Sequence, residues 1–497
     1  MRHSELEKFV SVEGRELMRR LFEEHLQTRG LGDIGKSIIG SDGVARNYKQ
    51  IRQRILITVF GKIKIKRMSY SKPGESSIFP LDSDLNFPAD MYSHGIRRFV
   101  AYESSSSSFS EVVDSLARNT GITIHKRQIE GLSRKSAQDF DSYYEQICSL
   151  RDINEAKDLP LLIMTTDGKG IVVRKEDLRE QTKQRLAVAR KKLNKRVSRG
   201  EKKNRKRMAT VASVYDIAKF VRKPEEVCED LSLDYKERKR KRPRPQAKRV
   251  WASLEKTQEE VIEEIFSEAL RRDFKNMKKW ACLVDGDKKQ LGIIRRQIKK
   301  YAVSIVIILD IIHVIEYLWK AARVFHEEAS QESEKWVTQR LLEILRGKSG
   351  FVAGGMRRSA TLLKIKKTER APIDGCANYL LKNSEYLRYN EYLKQGLPIA
   401  TGVIEGACRH LIKDRMDITG ARWSLKGAEA ILKLRSLKAS RDFDDYWAFH
   451  EQQEFFRNHH SRYADPTILE KLSPNNRVNT DEEGLYVKKN EKSVNEE

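Results

Sequence analysis

The sequence contains few cysteines, and none of them has a spacing typical of a disulfide framework or a structural zinc site. Five cysteines are scattered over 497 residues, at positions 148, 228, 282, 376 and 408, without a C-x-x-C pair. Small secreted scaffolds and zinc-stabilised modules use denser and more regular cysteine patterns. The cysteine pattern therefore argues against both classes.

Long apolar segments are also absent. No run reaches the roughly 18 residues that a membrane-spanning helix needs, and the first residues, Met-Arg-His-Ser-Glu-Leu-Glu, lack the apolar core of a signal peptide. No basic amphipathic helix with an aromatic apolar face stands out. We therefore expect a cytoplasmic protein without a membrane partner.

Positive charge is what the sequence has in excess. It carries 97 Lys and Arg against 71 Asp and Glu, which gives a net charge of +26. Such a charge is typical of a protein that binds a polyanion, and nucleic acid is the expected polyanion here. Contacts to phosphates would make the affinity sensitive to salt and largely independent of base sequence.

Residues 1–150 are predicted to form an N-terminal DNA-binding region. Helical spacing of apolar residues predicts a helix over about 1–30, and alternation predicts a β-hairpin over about 48–70. A capping box at Ser108–Glu111 begins one helix, a turn with Gly121 follows, and His125–Lys135 forms a basic second helix. This is the order of a helix-turn-helix motif, although a helical hairpin buried in a core has the same pattern. The candidate DNA contacts are Lys126, Arg127, Arg134 and Lys135.

Three apolar stretches, each predicted to be a buried strand, end in an aspartate. They end at Asp167, at Asp285 and at Asp310, and a glycine-containing turn is expected after each of the first two. Unbroken apolar strands are typical of a sheet covered on both faces, and helical patterns alternate with them. The sequence therefore predicts an α/β domain over 155–322, with a further strand at Met208–Tyr215 and a helix over about 253–274.

The remaining segments contribute helices and basic loops. The stretch 323–396 has no strand pattern and is predicted to be an α-helical insertion, in which Trp336 belongs to the core rather than to a base-stacking surface. Residues 397–445 would return to the α/β domain, and 446–497 would form a C-terminal segment whose tail is disordered. The basic runs 183–207 and 236–249 are expected to be loops that lie along DNA backbones.

The stretch Leu397–Arg415 begins as a loop and continues as a predicted helix. Thr401 is the expected N-cap, with its hydroxyl accepting from an amide of the first turn. Glu405, Arg409 and Lys413 share one face at spacings of four residues. This pattern fits a carboxylate at a metal with phosphate-binding groups beside it, but an ordinary charged surface helix has the same pattern.

Taken together, Asp167, Asp285 and Glu405 are candidate ligands for Mg²⁺, because hard cations prefer carboxylate oxygens. Two such ions can support displacement at a phosphodiester without a Ser, Cys or His nucleophile. Asp-Gly is also a common turn signal, and Asp287 is an alternative to Asp285. Asp310 and His313 are either a metal-associated pair or a helix cap with a buried histidine.

Several motifs resemble those of one transposase family. They are Asp167-Gly, Leu283-Val-Asp285-Gly, Asp310-x-x-His313 with the following Val-Ile-Glu-Tyr-Leu-Trp, the block from Gly396 to Gly406, and Asp414-Arg-Met-Asp-Ile-Thr-Gly-Ala-Arg-Trp-Ser424. Between about residues 50 and 440 the chain resembles the ISKra-type family of prokaryotic insertion-sequence DDE transposases.

The resemblance implies an α/β fold: an RNase H-like catalytic domain interrupted by an all-α insertion. The mixed β-hairpin and helical DNA-binding region would precede this domain. It implies that Asp167, Asp285 and Glu405 are the catalytic acids holding two Mg²⁺ ions, for which Mn²⁺ can substitute. Asp310 and His313 would be accessory residues, and Arg409, Lys413 and Arg422 would contact DNA phosphates. The expected partners are double-stranded DNA, as terminal inverted repeats and target, and further copies of the chain in a synaptic complex near the nucleoid. A non-catalytic DNA-binding regulator and an RNase H-like nuclease without strand transfer are the alternatives.

Overall fold

The computed structural model describes residues 1–150, 159–188, 205–232, 241–418 and 420–465. Two compact units divide the chain: Met1–Tyr143 together with Phe443–Glu497, here called unit 1, and Tyr144–Asp442, here called unit 2. Residues 189–204 of the first basic run, residues 236–240 of the second and the predicted disordered tail fall outside the described residues. Within the described part, no helix has the length and apolarity to cross a membrane.

Unit 1 contains helices packed with a long hairpin. Its strands are β1 (Ile38–Ile39), β2 (Ala45–Arg46), β3 (Tyr48–Thr58) and β4 (Gly61–Ser71). Its helices are α1 (His3–Thr28), α2 (Pro80–Asp84), α3 (His94–Ser104), α4 (Phe109–Thr120), α5 (Lys126–Ser136), α19 (Phe443–Asn458) and a 3₁₀ turn at His460–Arg462, while α6 (Phe140–Leu150) runs from this unit into the next.

The predicted order of a capped helix, a glycine turn and a second helix is confirmed. The Ser108 hydroxyl accepts from the Glu111 amide at 3.2 Å and the Glu111 carboxylate accepts from the Ser108 amide at 2.7 Å, which is the expected capping box. Gly121 ends α4 with a φ of 72°, a left-handed conformation that favours glycine. Apolar side chains of α3, α4 and α5 then form one core, made of Tyr92, Ile96, Val100, Val112, Leu116, Ile124, Ile129 and Leu132.

The predicted hairpin is also confirmed, with its turn at residues 59–60. One face carries Leu56, Ile63 and Ile65, and these pack with Leu26 of α1 in a second buried cluster. The N-terminal part of α1 behaves differently from the predicted apolar stripe, since Leu6, Phe9, Val10, Leu17 and Leu21 are all exposed. Only the last turns of α1 are therefore anchored, through Phe22 and Leu26.

The boundary predicted at residue 446 is replaced by a different grouping. Helix α19 belongs to unit 1, where Arg97 of α3 contacts Glu454 at 2.8 Å and His450 contacts Asp139 at 2.6 Å. Tyr463 joins the small cluster of Ile38, Met68, Tyr70 and Ile78. The sequence separates these segments by about three hundred residues, so no local pattern could show that they share a core.

Unit 2 is built on a mixed five-stranded sheet. Its strands are β5 (Leu161–Val172), β6 (Lys206–Ile217), β7 (Gln246–Ser253), β8 (Lys279–Val284) and β9 (Ile305–Leu309). The order across the sheet is β7-β6-β5-β8-β9. The pairs β7–β6 and β6–β5 are antiparallel, whereas the pairs β5–β8 and β8–β9 are parallel. The α/β class predicted from the strand and helix alternation is thus confirmed.

Several local predictions for this sheet were wrong. No turn follows Asp167, because β5 continues through Gly168 and Gly170 to Val172 while pairing with β6. Strand β7 begins at Gln246, inside the run 236–249 that was predicted to be a loop. Tyr301, predicted to begin a strand, instead ends a helix, and β9 begins at Ile305.

Helices cover the sheet and fill the rest of unit 2. They are α7 (Glu180–Val188), α8 (Pro224–Ser232), α9 (Gln258–Arg272), α10 (Lys288–Tyr301), α11 (Ile311–Phe325), α12 (Gln331–Leu345), α13 (Ser349–Leu362), α14 (Ala371–Lys382), α15 (Tyr389–Lys394), α16 (Gly402–Ala407), α17 (Asp414–Met416) and α18 (Leu425–Ser440), with 3₁₀ turns at Lys175–Asp177 and Ser384–Tyr386. The segment 323–396 is helical, as predicted, and Trp336 is buried there with Arg340 stacked on it at 3.8 Å.

The ion pair between Arg97 and Glu454 leads to a test of how α19 stabilises unit 1. Burial opposes ionisation of Glu454, but hydrogen bonds from Arg457 and the charge of Arg97 lower its pKa to about 2. Replacing Glu454 by Ala is expected to cost about 3 kcal/mol, because Arg97 is then left buried with one counter-ion fewer. Hydrogen–deuterium exchange of peptides from α3 and α19 would measure the loss.

The pH dependence has a definite sign. The folded-state pKa of Glu454 lies below its unfolded value of about 4.3, so the stabilisation is present above that pH and is lost as the pH falls toward 2. Asp444→Ala is the matched control on the same helix, since its pair with Arg98 is exposed and should contribute less than about 1 kcal/mol. An equal loss of stability in Glu454→Ala and Asp444→Ala would contradict the stabilising role given to the buried pair of Arg97 and Glu454.

Candidate functional site

The parallel strands of unit 2 place three aspartates at the same level. Thr165 on β5 pairs with Leu283 on β8, which pairs with Ile308 on β9. Two residues further along, each segment carries an acid: Asp167, Asp285 and Asp310. Side chains two residues apart share a face of the sheet, and neighbouring strands lie about 4.8 Å apart. The register therefore brings the three acids into one row at the carboxyl ends of β8 and β9.

Asp285 is the central acid of this row. Burial raises its pKa, the charge of Asp167 adds to the rise, and the Asp287 amide and His313 oppose it. The Asp287 amide donates to Asp285 at 2.9 Å, whereas the Asp287 carboxylate accepts from the Gln290 amide at 2.8 Å and caps α10. The two candidates for the second acid thus have different environments: the Asp287 carboxylate caps α10, whereas Asp285 is partly buried and feels the charge of Asp167.

Asp310 is the most completely bonded member of the row. It is 1% exposed, it caps α11 by accepting from the Ile312 amide at 3.0 Å, and its second oxygen accepts from the Thr401 hydroxyl. The same carboxylate contacts His313 Nδ1 at 3.3 Å. Asp310 is therefore a helix cap, as one of the two predictions had it, and it also contacts His313, which is only partly buried.

Thr401 departs from its predicted role. It stands before α16 but makes no side-chain capping bond, because its hydroxyl and its amide both donate to Asp310. This contact joins the loop that precedes Glu405 to the end of β9. The sequence shows a good capping residue at this position but gives no signal for its distant partner.

Glu405 projects from α16 with its side chain exposed. Partial desolvation raises its pKa, and the charges of Asp310, Glu316 and Asp167 add to the rise while His313 opposes it. The helix then widens into a π turn over Cys408–Lys413, which the sequence did not predict. The predicted apolar face is confirmed, since Ile404, Cys408, Leu411 and Ile412 are buried.

Cys408 and Glu316 are site residues that sequence reasoning missed. The Cys408 thiol donates to Asp167 Oδ2 at 3.1 Å, so the π turn is bound directly to the first acid. Glu316 lies one turn after His313 on α11, and its charge acts on both His313 and Glu405. Helical spacing could have identified Glu316, whereas the contact of Cys408 depends on tertiary packing.

Tyrosines of the helical insertion fix the backbone beneath the acids. The Tyr379 hydroxyl donates to the Asp285 carbonyl at 2.9 Å, and the Tyr389 hydroxyl donates to the Leu309 carbonyl at 2.8 Å. Gly286 has a φ of 89° and packs against Tyr379, where a Cβ would lie 3.3 Å from the ring. The insertion therefore packs against the strand ends that carry Asp285 and Asp310.

Negative charge at this site is poorly compensated. Asp167, Asp285 and Glu405 form no ion pair among the described residues, although the chain has a net charge of +26. Carboxylates from separate segments suit a hard divalent cation, so the donor set fits the Mg²⁺ that the sequence implies. In the part of the chain that the structure describes, no three His, Cys, Asp or Glu side chains are already close enough to hold an ion.

The predicted phosphate-binding residues remain accessible. Arg409, Lys413 and Arg422 are exposed near Glu405 in sequence, and Arg409 lies 3.8 Å from Asp414. On α5 of unit 1, Lys126, Arg127 and Arg134 are exposed, while Lys135 contacts Asp90 at 2.8 Å. Six of the seven predicted DNA contacts thus have no carboxylate within hydrogen-bonding distance among the described residues.

Comparison of the sequence with known protein families finds no match, and comparison with curated proteins finds none. Function is therefore argued from the site itself.

The Asp310–His313 contact leads to a prediction for the pKa of His313. The hydrogen bond and charge of Asp310 raise the pKa of His313, so Asp310→Asn should lower it toward or below its ordinary value near 6.5. Imidazole resonances followed by NMR in the metal-free protein, assigned with His313→Gln, would report the change. Glu316→Gln is the control and should give a smaller fall, because its effect is a weaker charge interaction. An unchanged titration in Asp310→Asn would contradict the geometry.

Proposed function

We propose that this protein is a DNA transposase of an insertion sequence, which cleaves phosphodiesters at transposon ends and joins the 3′-hydroxyl ends to target DNA. The observation that carries the proposal is the row of acids set by the parallel register, with Glu405 beside it. Phosphoryl transfer on DNA needs acids that converge from separate segments of a fold. The resemblance to the ISKra-type family names the same residues.

In this proposal Asp167, Asp285 and Glu405 hold two Mg²⁺ ions. When bound, the ions supply an activated attacking oxygen and stabilise the leaving oxygen. The chain's own residues set the positions: β5 carries Asp167, the Tyr379 hydroxyl fixes the backbone of Asp285, and Thr401 ties the Glu405 segment to Asp310. Asp310 and His313 act as positioning residues, since Asp310 is fully bonded within the protein.

The fold and the charge support the same proposal. A mixed five-stranded sheet whose first three strands form an antiparallel meander suits an RNase H-like catalytic domain, and the all-helical segment 323–396 suits its insertion. The exposed basic face of α5 suits recognition of double-stranded inverted repeats. An assembly of two or more copies on the paired DNA ends, in the cytoplasm at the nucleoid, completes the proposal.

A nicking assay tests the catalytic part. The substrate is a labelled duplex carrying the inverted repeat that borders the reading frame, incubated with Mg²⁺. Asp167→Asn, Asp285→Asn and Glu405→Gln are each expected to slow nicking by about 100-fold or more, because each removes a charged ligand oxygen from the reacting centre. Binding of Mn²⁺, followed by electron paramagnetic resonance, should weaken in the same variants and reports the ligands independently of turnover.

Asp287→Asn is the matched control. Asparagine also caps helices, so this variant keeps the α10 cap and should cut at the wild-type rate. Undiminished nicking by Asp285→Asn would show that the proposed site is wrong. A wild-type protein that binds the ends and never cuts them would favour the DNA-binding regulator, and cutting without joining into a plasmid would favour a nuclease.

A further inference from the structure

The hairpin of unit 1, formed by β3 and β4, has a basic outer face to which the proposed function assigns no role. On β4 the side chains of Lys62, Lys64 and Lys66 are exposed, and they alternate with the buried Ile63 and Ile65. Residues two apart on a strand are about 6.8 Å apart and point to the same side. The three lysines therefore form a straight row about 14 Å long.

The partner strand extends this face. Lys64 pairs with Ile55, and Lys66 pairs with Gln53, so these side chains lie on the same side as the lysines. Ile57, opposite Lys62, also lies on this side but is partly buried, so the exposed part of the face ends there. Ile55 is 41% exposed and Ile51, four residues earlier on the same side of the strand, is 55% exposed. We define the outer ribbon face by Ile51, Gln53, Ile55, Lys62, Lys64 and Lys66. It combines charge, one amide and apolar groups on a two-stranded ribbon.

The lysines of this face have no competing carboxylate bound to them. None forms an ion pair among the residues that the structure describes. Glu23 lies near Lys64, but it does not pair with the lysine side chain. Its carboxylate instead accepts from Arg19 Nη1 at 2.6 Å and from the Lys64 backbone amide at 2.8 Å. The positive charge of the row is therefore available to an external anion.

The ribbon is part of the same compact unit as the helix-turn-helix. Ile57 and Val59, at the turn end of β3, pack on the core formed by α3, α4 and α5. The Ile57 amide donates to the Met91 carbonyl at 2.7 Å, and the Ser93 amide donates to the Ile57 carbonyl at 2.9 Å. These bonds attach the hairpin to the segment that begins α3. The hairpin and α5 therefore pack on the same core, and one DNA molecule could contact both.

We propose that the outer ribbon face is a second duplex-DNA contact, in which Lys62, Lys64 and Lys66 each bind a phosphate of one strand. The inference rests on the proposed DNA-binding function and adds a contact to it. One DNA strand presents a phosphate about every 3.4 Å along the helix axis, so a 14 Å row covers about four of them. A two-stranded β-ribbon also fits the major groove, where Gln53 would reach base edges.

The salt dependence of binding tests this contact. A fluorescent 40-base-pair duplex of arbitrary sequence is titrated with the full-length protein over a range of NaCl concentrations. Each phosphate contact contributes about 0.9 to the slope of log K against log salt. The triple variant Lys62→Gln/Lys64→Gln/Lys66→Gln should therefore reduce the slope by about 2.7. The equally charged control Lys8→Gln/Lys36→Gln/Lys72→Gln, which changes exposed lysines of unit 1 outside the ribbon face, should reduce it by less than about 0.5.

Failure of this inference is distinguishable from failure of the proposed function. Lys126→Ala/Arg127→Ala on α5 reports the helix-turn-helix contact separately. If that variant binds DNA more weakly while the ribbon variant keeps the wild-type slope, the DNA-binding function stands and the ribbon contact is overturned. If the wild-type protein does not bind the duplex, both the function and the ribbon contact are overturned.

Lysine acetylation gives a second measurement that needs no substitution. Mass spectrometry should show that Lys62, Lys64 and Lys66 are protected from acetylation by the duplex, whereas Lys8, Lys36 and Lys72 are modified equally with and without it. Poly-glutamate of matched charge is the competitor. Equal protection by poly-glutamate would mean that the face binds any acidic polymer, which would overturn a specific duplex contact.

Discussion

The candidate site depends on one constraint, the parallel register of β5, β8 and β9. The buried runs Leu161–Met164 and Trp280–Val284 pack on both faces of the sheet and fix this register, because a slip of one residue would exchange the side chains of the two faces and disrupt both packed layers. The same slip would turn Asp167 or Asp285 to the opposite side of the sheet. Apolar packing in the middle of the sheet therefore determines the separation of the carboxylates at its edge. The positions of the candidate ligands are therefore set by buried strand residues that would not contact a substrate.

The four acids at this edge have two kinds of environment. Asp310 is buried and accepts bonds from Thr401, Ile312 and His313, so its charge is used within the protein. Asp167, Asp285 and Glu405 form no ion pair among the described residues, although Asp167 accepts from the Cys408 thiol and Asp285 from the Asp287 amide, and the pKa values of Asp285 and Glu405 are raised. A carboxylate without a cation beside it destabilises the fold slightly. A site that binds a divalent cation and a phosphodiester would need such uncompensated carboxylates. Their lack of an ion pair distinguishes the three candidate ligands from Asp310, which is bonded within the protein.

Sequence patterns identified the long hairpin, most strands of the sheet, most helices and the acids, because buried strands and amphipathic helices have clear periodicities. They failed where the determining contact is distant in the chain. The turn predicted after Asp167 is overridden by pairing with β6, and the hydroxyl of Thr401 binds Asp310 instead of its own helix. Strand β7 was missed because Lys248 and Arg249 resemble a solvated loop. The contact of Cys408 with Asp167 had no local signal, and the roles of the acids still rest on resemblance and geometry.

Unit 1 is made from both ends of the described chain, and this has a consequence for its synthesis. The helix-turn-helix core emerges first, but Arg97 and Asp139 receive Glu454 and His450 only after unit 2 has been translated. Until then, charged and apolar groups that α19 covers are open to solvent. Contacts of such high sequence separation are slow to form. A nascent chain would therefore complete unit 2 before unit 1 is finished, so a translation product truncated before α19 would lack an intact unit 1.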